Sequence, residues 1–158
     1  MATQNEIVIA KAKAEDVHDI EAIVKAAYSK YVERIGHPPA PMLEDYTHLL
    51  ESQDLYVLRV ASDRKVLGSV VLAMDDDERA IKVNNLVVGP SAQGRGYGRI
   101  LMNHAEHEGR LRGAKAVVLF TNVKMYENIG LYMKLGFVET GRRVEGPYER
   151  VYFRKELV

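Results

Sequence analysis

Three glycines alternate at the point where a helix is expected to begin. The stretch GPSAQGRGYGRIL, residues 89–101, places Gly94, Gly96 and Gly98 between a strand-like segment and a segment with helical spacing. Glycine adopts backbone angles that other residues resist and has no Cβ to block a ligand, so alternating glycines expose consecutive backbone N–H groups. The chain is therefore constrained to a strand, a tight turn and a helix, and this turn can hold an anion.

The side chains around the glycines suit a ligand that carries phosphate. Arg95 and Arg99 add cationic donors, and Gln93 adds a neutral one. The P-loop pattern requires Lys and then Ser or Thr after its last glycine, whereas Arg99 and Ile100 follow here. A dinucleotide fingerprint fails as well, because its third glycine would fall on Arg99 or Leu101. A tight strand-to-helix turn without a ligand is the alternative at this point.

Strand and helix patterns follow one another along the rest of the chain, and its 158 residues are the length of one domain. Period-two or short apolar patterns predict strands over residues 6–12, 54–62, 65–74, 80–88, 114–121, 137–144 and 148–157. Helical spacing predicts helices over residues 17–35, 42–51, 100–111 and 126–135. A two-residue turn at Asp63 and Arg64 would join the second and third strands, and residues 37–41 would be irregular. We predict a single α+β domain over residues 1–158.

Composition excludes several classes of function. Lys and Arg together number 22, as do Asp and Glu, so no overall field attracts nucleic acid or an anionic membrane. The absence of cysteine excludes disulfides, thiolate catalysis and Cys-ligated zinc. His104 and His107 lack a third metal ligand, and the acidic run of residues 75–78 lacks the spacing of a calcium loop, so we predict no metal.

The sequence shows no targeting or membrane segment. Its first residues have no basic head followed by an apolar core, and the longest apolar stretch, residues 66–74, is too short to span a bilayer. We therefore expect a soluble, cytoplasmic protein with no membrane or nucleic-acid partner.

Two ordered motifs resemble the GNAT acyltransferase superfamily. QGRGYG, residues 93–98, matches the Q/R-x-x-G-x-G/A pattern that holds the pyrophosphate of acetyl-coenzyme A in that family, and LVVGP, residues 86–90, resembles the end of its strand four. ENIGLYMKLGF, residues 127–137, resembles its penultimate helix. The resemblance implies the GNAT fold, a mostly antiparallel central sheet flanked by helices, which splays after a bulged strand four.

The resemblance also implies direct transfer of an acetyl group from acetyl-coenzyme A, the co-substrate, to the amino group of a small molecule, amino acid or peptide. The main chain of Leu86, Val87 and Val88 would bind the pantetheine arm, and the Val88 N–H would polarise the acetyl carbonyl. Tyr132 would contact coenzyme A and protonate the leaving thiolate. The pyrophosphate would be bound by Gln93, Gly94, Arg95, Gly96, Tyr97, Gly98 and Arg99.

Two positions depart from the family pattern. The strand-four glutamate that commonly serves as general base aligns with Lys82, and alternation places Asn84 rather than an acid on the same face. Asn84, the catalytic candidate, or Asn85 could hold a water to take the amine proton, with an ordinary polar strand residue as the alternative, and Glu44 and Asp45 are remoter candidates for the base. The asparagine that many members place seven residues before the tyrosine is Met125 here, and Asn128 is the candidate for a polar contact with coenzyme A.

The acceptor site is expected between the first helices, their loop and the last two strands. Candidate substrate residues are Tyr28, Tyr31, Met42 and Tyr148, with core packing as the alternative for the tyrosines. The Lys82 departure leaves open a non-catalytic acyl-coenzyme A sensor, and a protein-interaction module with vestigial glycines is the other alternative. Exposed strand edges in a small domain of this kind favour a homodimer.

Overall fold

A seven-stranded sheet runs through the computed structural model, which describes residues 6–158. The strands are β1 (Ile7–Lys11), β2 (Asp54–Val60), β3 (Gly68–Asp75), β4 (Ala80–Val88), β5 (Ala116–Asn122), β6 (Val138–Glu145) and β7 (Tyr148–Glu156). Their order in the sheet is β1-β2-β3-β4-β5-β7-β6, and among these described strands only β4 and β5 pair in parallel. The mostly antiparallel α+β fold predicted from the sequence is confirmed. The expected N-terminus without a targeting segment rests partly on residues 1–5, which lie outside the described residues.

Five helices flank the sheet, together with the short 3-10 turns Ala14–Asp16 and Pro90–Ala92. The helices are α1 (Val17–Ile35), α2 (Ala40–Leu43), α3 (Tyr46–Ser52), α4 (Tyr97–Leu111) and α5 (Tyr126–Lys134). Within residues 6–158, no helix has the length and apolar character needed to cross a membrane.

The single helix expected over residues 42–51 is wrong, because the structure has two helices there. Pro41 lies in the first turn of α2, where its missing N–H has no helical partner to lose. The Asp45 carboxylate accepts a hydrogen bond of 3.1 Å from the His48 N–H and thereby caps the start of α3. The segment 37–41, expected to be irregular, therefore already contains the start of α2.

The connection between β2 and β3 is longer than the two-residue turn predicted at Asp63 and Arg64. β2 ends at Val60 and β3 begins at Gly68. Val66 is only 1% exposed, so the apolar residues that look like the start of a strand belong to a buried connection. The Leu67 N–H donates to the Leu58 carbonyl over 2.9 Å, which keeps this connection against β2.

Two apolar cores lie on opposite faces of the sheet. Tyr56 and Leu58 of β2 belong to the core that contains residues of α4, whereas Leu55 and Val57 belong to the core that contains residues of α1 and α3. Because successive side chains of a strand point to opposite faces, this alternation places the two cores on the two sides of the sheet. The middle of the sheet is thus held from both sides.

A bulge interrupts β4, and beyond it β4 separates from β5. The register of β3 against β4 skips Asn84, the extra residue of a β-bulge. The parallel pairs of β4 with β5 end at Val83 and Leu119, whereas β5 stays paired with β7 as far as Asn122. The bulge and the splay implied by the family resemblance are both present. Within the described residues, the edge of β4 that faces β5 has no strand partner over residues 84–88.

Candidate active site

A cavity of about 430 Å³ lies where β4 and β5 splay apart. Its walls come mainly from β4, β5, α5, β7 and the segment around α2, with single residues of α1, α3 and β6. The residues on this wall that the sequence predicted for the site are Tyr28, Asn84, Leu86, Asn128, Tyr132 and Tyr148. The fold therefore brings together one residue of α1, two of β4, two of α5 and one of β7.

Other predicted site residues do not line the cavity. Val87 is 3% exposed and packs in the core beside α1. Tyr31 is 4% exposed and lies in the same core, with its ring centroid 6.0 Å from that of Tyr28. Met42 packs against this core from α2. Val88 ends β4, residues 93–96 form the turn that leads into α4, and residues 97–99 belong to the first turn of α4.

Backbone groups of β4 are available at its open edge. The Gly89 N–H donates to the Leu67 carbonyl over 2.8 Å and so points toward β3. Because backbone groups alternate in direction along a strand, the N–H groups of Leu86 and Val88 point to the splayed edge. The carbonyls on that edge already accept hydrogen bonds, since the Tyr28 hydroxyl donates to Leu86 over 3.2 Å and the Gln93 amide donates to Val88 over 3.1 Å.

The turn into α4 presents a set of unpaired N–H donors. Gly94 and Gly96 both have φ of +82°, a conformation that favours glycine, and α4 begins directly after Gly96. The first helical hydrogen bond of α4 runs from the Ile100 N–H to the Gly96 carbonyl over 3.1 Å, so the N–H groups of residues 97–99 have no helical acceptor. Within residues 6–158, no side chain caps this helix start. The positive end of α4 and its free donors suit an anion, and we call them the candidate anion site.

Tyr132 has a buried ring and a free hydroxyl. The side chain is 9% exposed, and its ring centroid lies 5.9 Å from that of Phe137 and 6.0 Å from that of Phe153. Burial, with a smaller effect of nearby Tyr31, raises the pKa of Tyr132 to about 12. In the part of the chain that the structure describes, the hydroxyl has no hydrogen-bond partner, so its proton is available to a ligand in the cavity.

Two consecutive asparagines of the bulge line the cavity. The Asn84 amide donates to the Gln53 side chain. Asn85 donates to the Tyr46 hydroxyl over 2.6 Å, and that hydroxyl donates to the Pro41 carbonyl over 2.7 Å. A bulge allows two consecutive side chains to point to the same face, which simple alternation did not predict. β4 contributes no carboxylate to the cavity, so no strand-four base replaces the missing glutamate.

The last two strands contribute cavity residues that sequence reasoning missed. Glu145, Arg150 and Tyr152 line the cavity, as do Phe120 of β5 and Gln53. A hydrogen bond from the Tyr152 hydroxyl, the largest effect, and the Arg150 guanidinium 2.7 Å away lower the pKa of the Glu145 carboxyl. The sequence analysis expected the last two strands to contribute to the acceptor site. It did not show which of their side chains face the cavity.

The residues considered for a metal do not converge. Within residues 6–158, no group of three or more His, Cys, Asp and Glu side chains could hold a metal ion. His104 packs edge-on against the Tyr56 ring at 4.4 Å. The acidic run forms the turn after β3, where the Asp75 carboxylate accepts from the Glu78 N–H over 3.1 Å.

Comparison with known proteins gives a family match over most of the chain. Residues 17–137 match the model of the acetyltransferase (GNAT) family. The chain is 34% identical over 106 residues to an IAA acetyltransferase of Azospirillum brasilense, a match that covers 64% of this chain and 68% of that protein.

Two further similarities are more limited. The first covers only part of the sequence, and the second concerns the fold alone. The chain is 38% identical over 79 residues to the mycothiol acetyltransferase of Nocardia farcinica, which covers 49% of this chain but only 26% of that longer protein. The crystal structure of PaiA N-acetyltransferase from Thermoplasma acidophilum in complex with coenzyme A superimposes with a TM-score of 0.77 at 15% identity, over 96% of this chain and 99% of that one. At this identity, the structural match shows a common fold.

Proposed function

The chain belongs to the GNAT family of acetyltransferases, and we propose that it moves the acetyl group of acetyl-coenzyme A directly to the amino group of a small molecule, amino acid or peptide. Acetyl-coenzyme A is the acetyl donor of the family. The finer parts of this proposal are the roles of individual residues and the nature of the acceptor.

One observation carries the proposal. The candidate anion site at the start of α4 directly follows the open edge of β4, and that edge borders a cavity that also contains the Tyr132 hydroxyl. A pyrophosphate on residues 93–99 and an extended arm along residues 86–88 would bring a thioester toward Tyr132. The donors, the groove and the acid thus occur in the order that the parts of acetyl-coenzyme A require.

The proposed reaction needs a donor at the acetyl oxygen and an acid at the sulfur. The Val88 N–H at the splayed edge stabilises the negative charge that develops on the acetyl oxygen as the amine attacks. Tyr132, whose pKa is about 12, stays protonated at neutral pH and gives its proton to the leaving sulfur. Holding both substrates in one cavity removes much of the entropic barrier.

The atoms balance without a covalent enzyme intermediate. A C–N bond forms as the thioester C–S bond breaks, and a primary ammonium gives two of its three protons to water, one before the attack and one after it. The sulfur takes one proton from Tyr132, which is then reprotonated from solvent. Water near Asn84 is the proposed first acceptor of the amine proton, since β4 contributes no carboxylate to the cavity.

An amine panel separates this proposal from its alternatives. The protein is incubated with acetyl-coenzyme A and amino acids, alkylamines, polyamines and peptides in turn, and free thiol is measured alongside acetylated product. Thiol release that requires one class of amine supports the transferase. Calorimetric binding of coenzyme A without turnover on any amine would favour the acyl-coenzyme A sensor, and absence of binding would favour the interaction module.

A further inference from the structure

Two cations surround one aromatic ring on the cavity wall. The Nζ atom of Lys82 lies 5.3 Å from the centroid of the Phe120 ring, and the guanidinium carbon of Arg150 lies 4.4 Å from the same centroid. All three residues line the cavity of the candidate active site, and we call them the cationic wall. Because both cations contact a single ring, their charges lie within about 10 Å of each other.

Arg150 is already neutralised by a carboxylate of the same cavity. Its Nη1 atom lies 2.7 Å from Oε2 of Glu145, and the Arg150 side chain is 16% exposed. The Tyr152 hydroxyl donates to the other oxygen of Glu145. Both oxygens of this carboxylate thus already accept a hydrogen bond, and its charge is paired with that of Arg150.

Lys82, in contrast, forms no ion pair within residues 6–158, and its cross-strand neighbours Ala73 and Val118 are apolar. Three carboxylates line a second cavity that Lys82 also borders, and each has another partner: Glu78 pairs with Arg154, Glu145 pairs with Arg150, and Asp75 accepts a hydrogen bond from the Glu78 N–H. Glu44, the other carboxylate on the lining of the first cavity, is exposed to solvent in the loop after α2. The cationic wall therefore carries one ammonium without an ion-pair partner in the described chain, beside the space where the acceptor would bind.

We propose that the acceptor amine carries an anionic group, which pairs with Lys82 while the amino group reaches the thioester. This inference rests on the proposed acetyl transfer. A carboxylate or phosphate beside a partly buried ammonium gains a charge-assisted hydrogen bond. A polyamine instead brings a second positive charge into the cavity that contains the Lys82 ammonium, which disfavours it.

Matched amines test this preference in the wild-type protein. Phenylalanine is compared with phenethylamine, 6-aminohexanoate with hexylamine, and phosphoethanolamine with ethanolamine. We expect the anionic member of at least one pair to have about tenfold higher kcat/KM, mainly through a lower KM. Comparing the kcat/KM ratios of the two carboxylate pairs with that of the phosphate pair shows which anionic group is preferred.

Charge variants assign the preference to Lys82. Lys82→Gln should bring the ratio near one, Lys82→Arg should keep it, and Lys82→Glu should reverse it in favour of cationic amines. Lys30→Gln is the matched control, because the Lys30 ammonium also lies over a tyrosine ring, at 5.0 Å from Tyr31, but outside the cavity lining. Unchanged affinity for coenzyme A shows that each variant is folded.

The two proposals fail in different ways. Transfer that is equally efficient with both members of every pair, or a preference that survives Lys82→Gln, would overturn the anionic acceptor and leave the transferase intact. Absence of transfer to every amine would overturn the proposed function. In that case, binding to the coenzyme A-loaded protein still decides the role of Lys82: phenylalanine should bind more tightly than phenethylamine, and equal affinities would overturn it.

Discussion

Tyr132, the proposed general acid, combines a buried ring with a hydroxyl that no other residue of the described chain engages. Its ring packs against Phe137 and Phe153, and that burial raises the pKa of the phenol while its hydroxyl stays without a protein partner in the described chain. A higher pKa makes the phenol a weaker acid but keeps it fully protonated at neutral pH. In the proposed reaction, the phenol would therefore enter each cycle in its protonated form.

Replacing Tyr132 by Phe removes this proton and keeps the ring. We expect kcat to fall about a hundredfold, the lower range for loss of a general acid, while the Kd for coenzyme A changes less than about twofold. Steady-state kinetics and calorimetry measure the two quantities. Tyr126→Phe is the control on the same helix, since Tyr126 is 62% exposed, and it should leave kcat unchanged. An unaltered kcat in Tyr132→Phe would exclude the acid role.

His104 gives a prediction about stability. Burial, the largest effect, lowers the pKa of His104, and the surrounding groups are Tyr56, Glu108, His107 and Arg112. Its buried Nε2 atom has no hydrogen-bond partner within residues 6–158. Protonation therefore favours the unfolded chain, in which the pKa is about 6.5.

The free energy of unfolding should accordingly fall as the pH drops from about 7.5 to about 5.5, since stability present above the unfolded pKa is lost toward the folded one. Urea unfolding of wild type and His104→Gln at both pH values measures this, and the variant should show a smaller fall. His107→Gln, at an exposed site of the same helix, is the control. Equal pH dependence in wild type and His104→Gln would contradict the prediction.

At the scale of elements, α4 and β4 create the donor site together. Gly96 allows the left-handed turn that starts α4, and the alternation of β4 sends the Val88 N–H to the open edge. A Cβ at position 96 would meet no atom within 4 Å, so the requirement for glycine comes from its φ of +82° and from the approach of a ligand. Close packing therefore does not explain why this position is a glycine.

Gly96→Val should weaken coenzyme A binding at least tenfold, because a β-branched residue strains the turn by about 1–3 kcal/mol and displaces the N–H donors. Gly113→Val is a matched control at the other end of α4, where φ is +75° and a Cβ would likewise meet no atom within 4 Å. It should cost stability but leave the affinity for coenzyme A unchanged. Calorimetry on both variants decides, and equal affinities would remove the basis for the candidate anion site.

Local patterns were enough to predict most elements. Alternation between flanking turn signals placed β4 at residues 80–88, and the loss of helical spacing at Gly36 ended α1 at Ile35. The bulge at Asn84 could not be predicted from the strand alone, because it depends on the register against β3. The sequence offered Asn84 or Asn85 as the residue that could hold a water, whereas the folded chain places both on the cavity wall.

At the scale of the whole molecule, the missed site residues follow from topology. β7 lies between β5 and β6, so Arg150 reaches the cavity beside Phe120 although the two are far apart in sequence. No local pattern specifies that insertion. The glycine turn and Tyr132 could be predicted from the sequence because their motifs are local. The cationic wall could not, because its residues meet only in the folded sheet. The homodimer and the cytoplasmic location stay predictions from the sequence.

A single domain predicts one cooperative unfolding transition. Far-UV circular dichroism and tyrosine fluorescence should give the same midpoint, because both walls of the cavity belong to one sheet. Coenzyme A at about 100 times its Kd should add about 2.7 kcal/mol and raise Tm as one transition. Two separate transitions, or a shift in only one probe, would contradict the single domain.

Direct transfer from thioester to amine is tested by following an isotopically labelled acetyl group in one reaction. The protein is mixed with labelled acetyl-coenzyme A and the best amine of the panel, and thiol, acetylated amine and intact protein mass are measured together. One labelled N-acetyl product should form for each thiol released, with the protein mass unchanged. Thiol release without acetylated amine, or label retained on the protein, would contradict direct transfer.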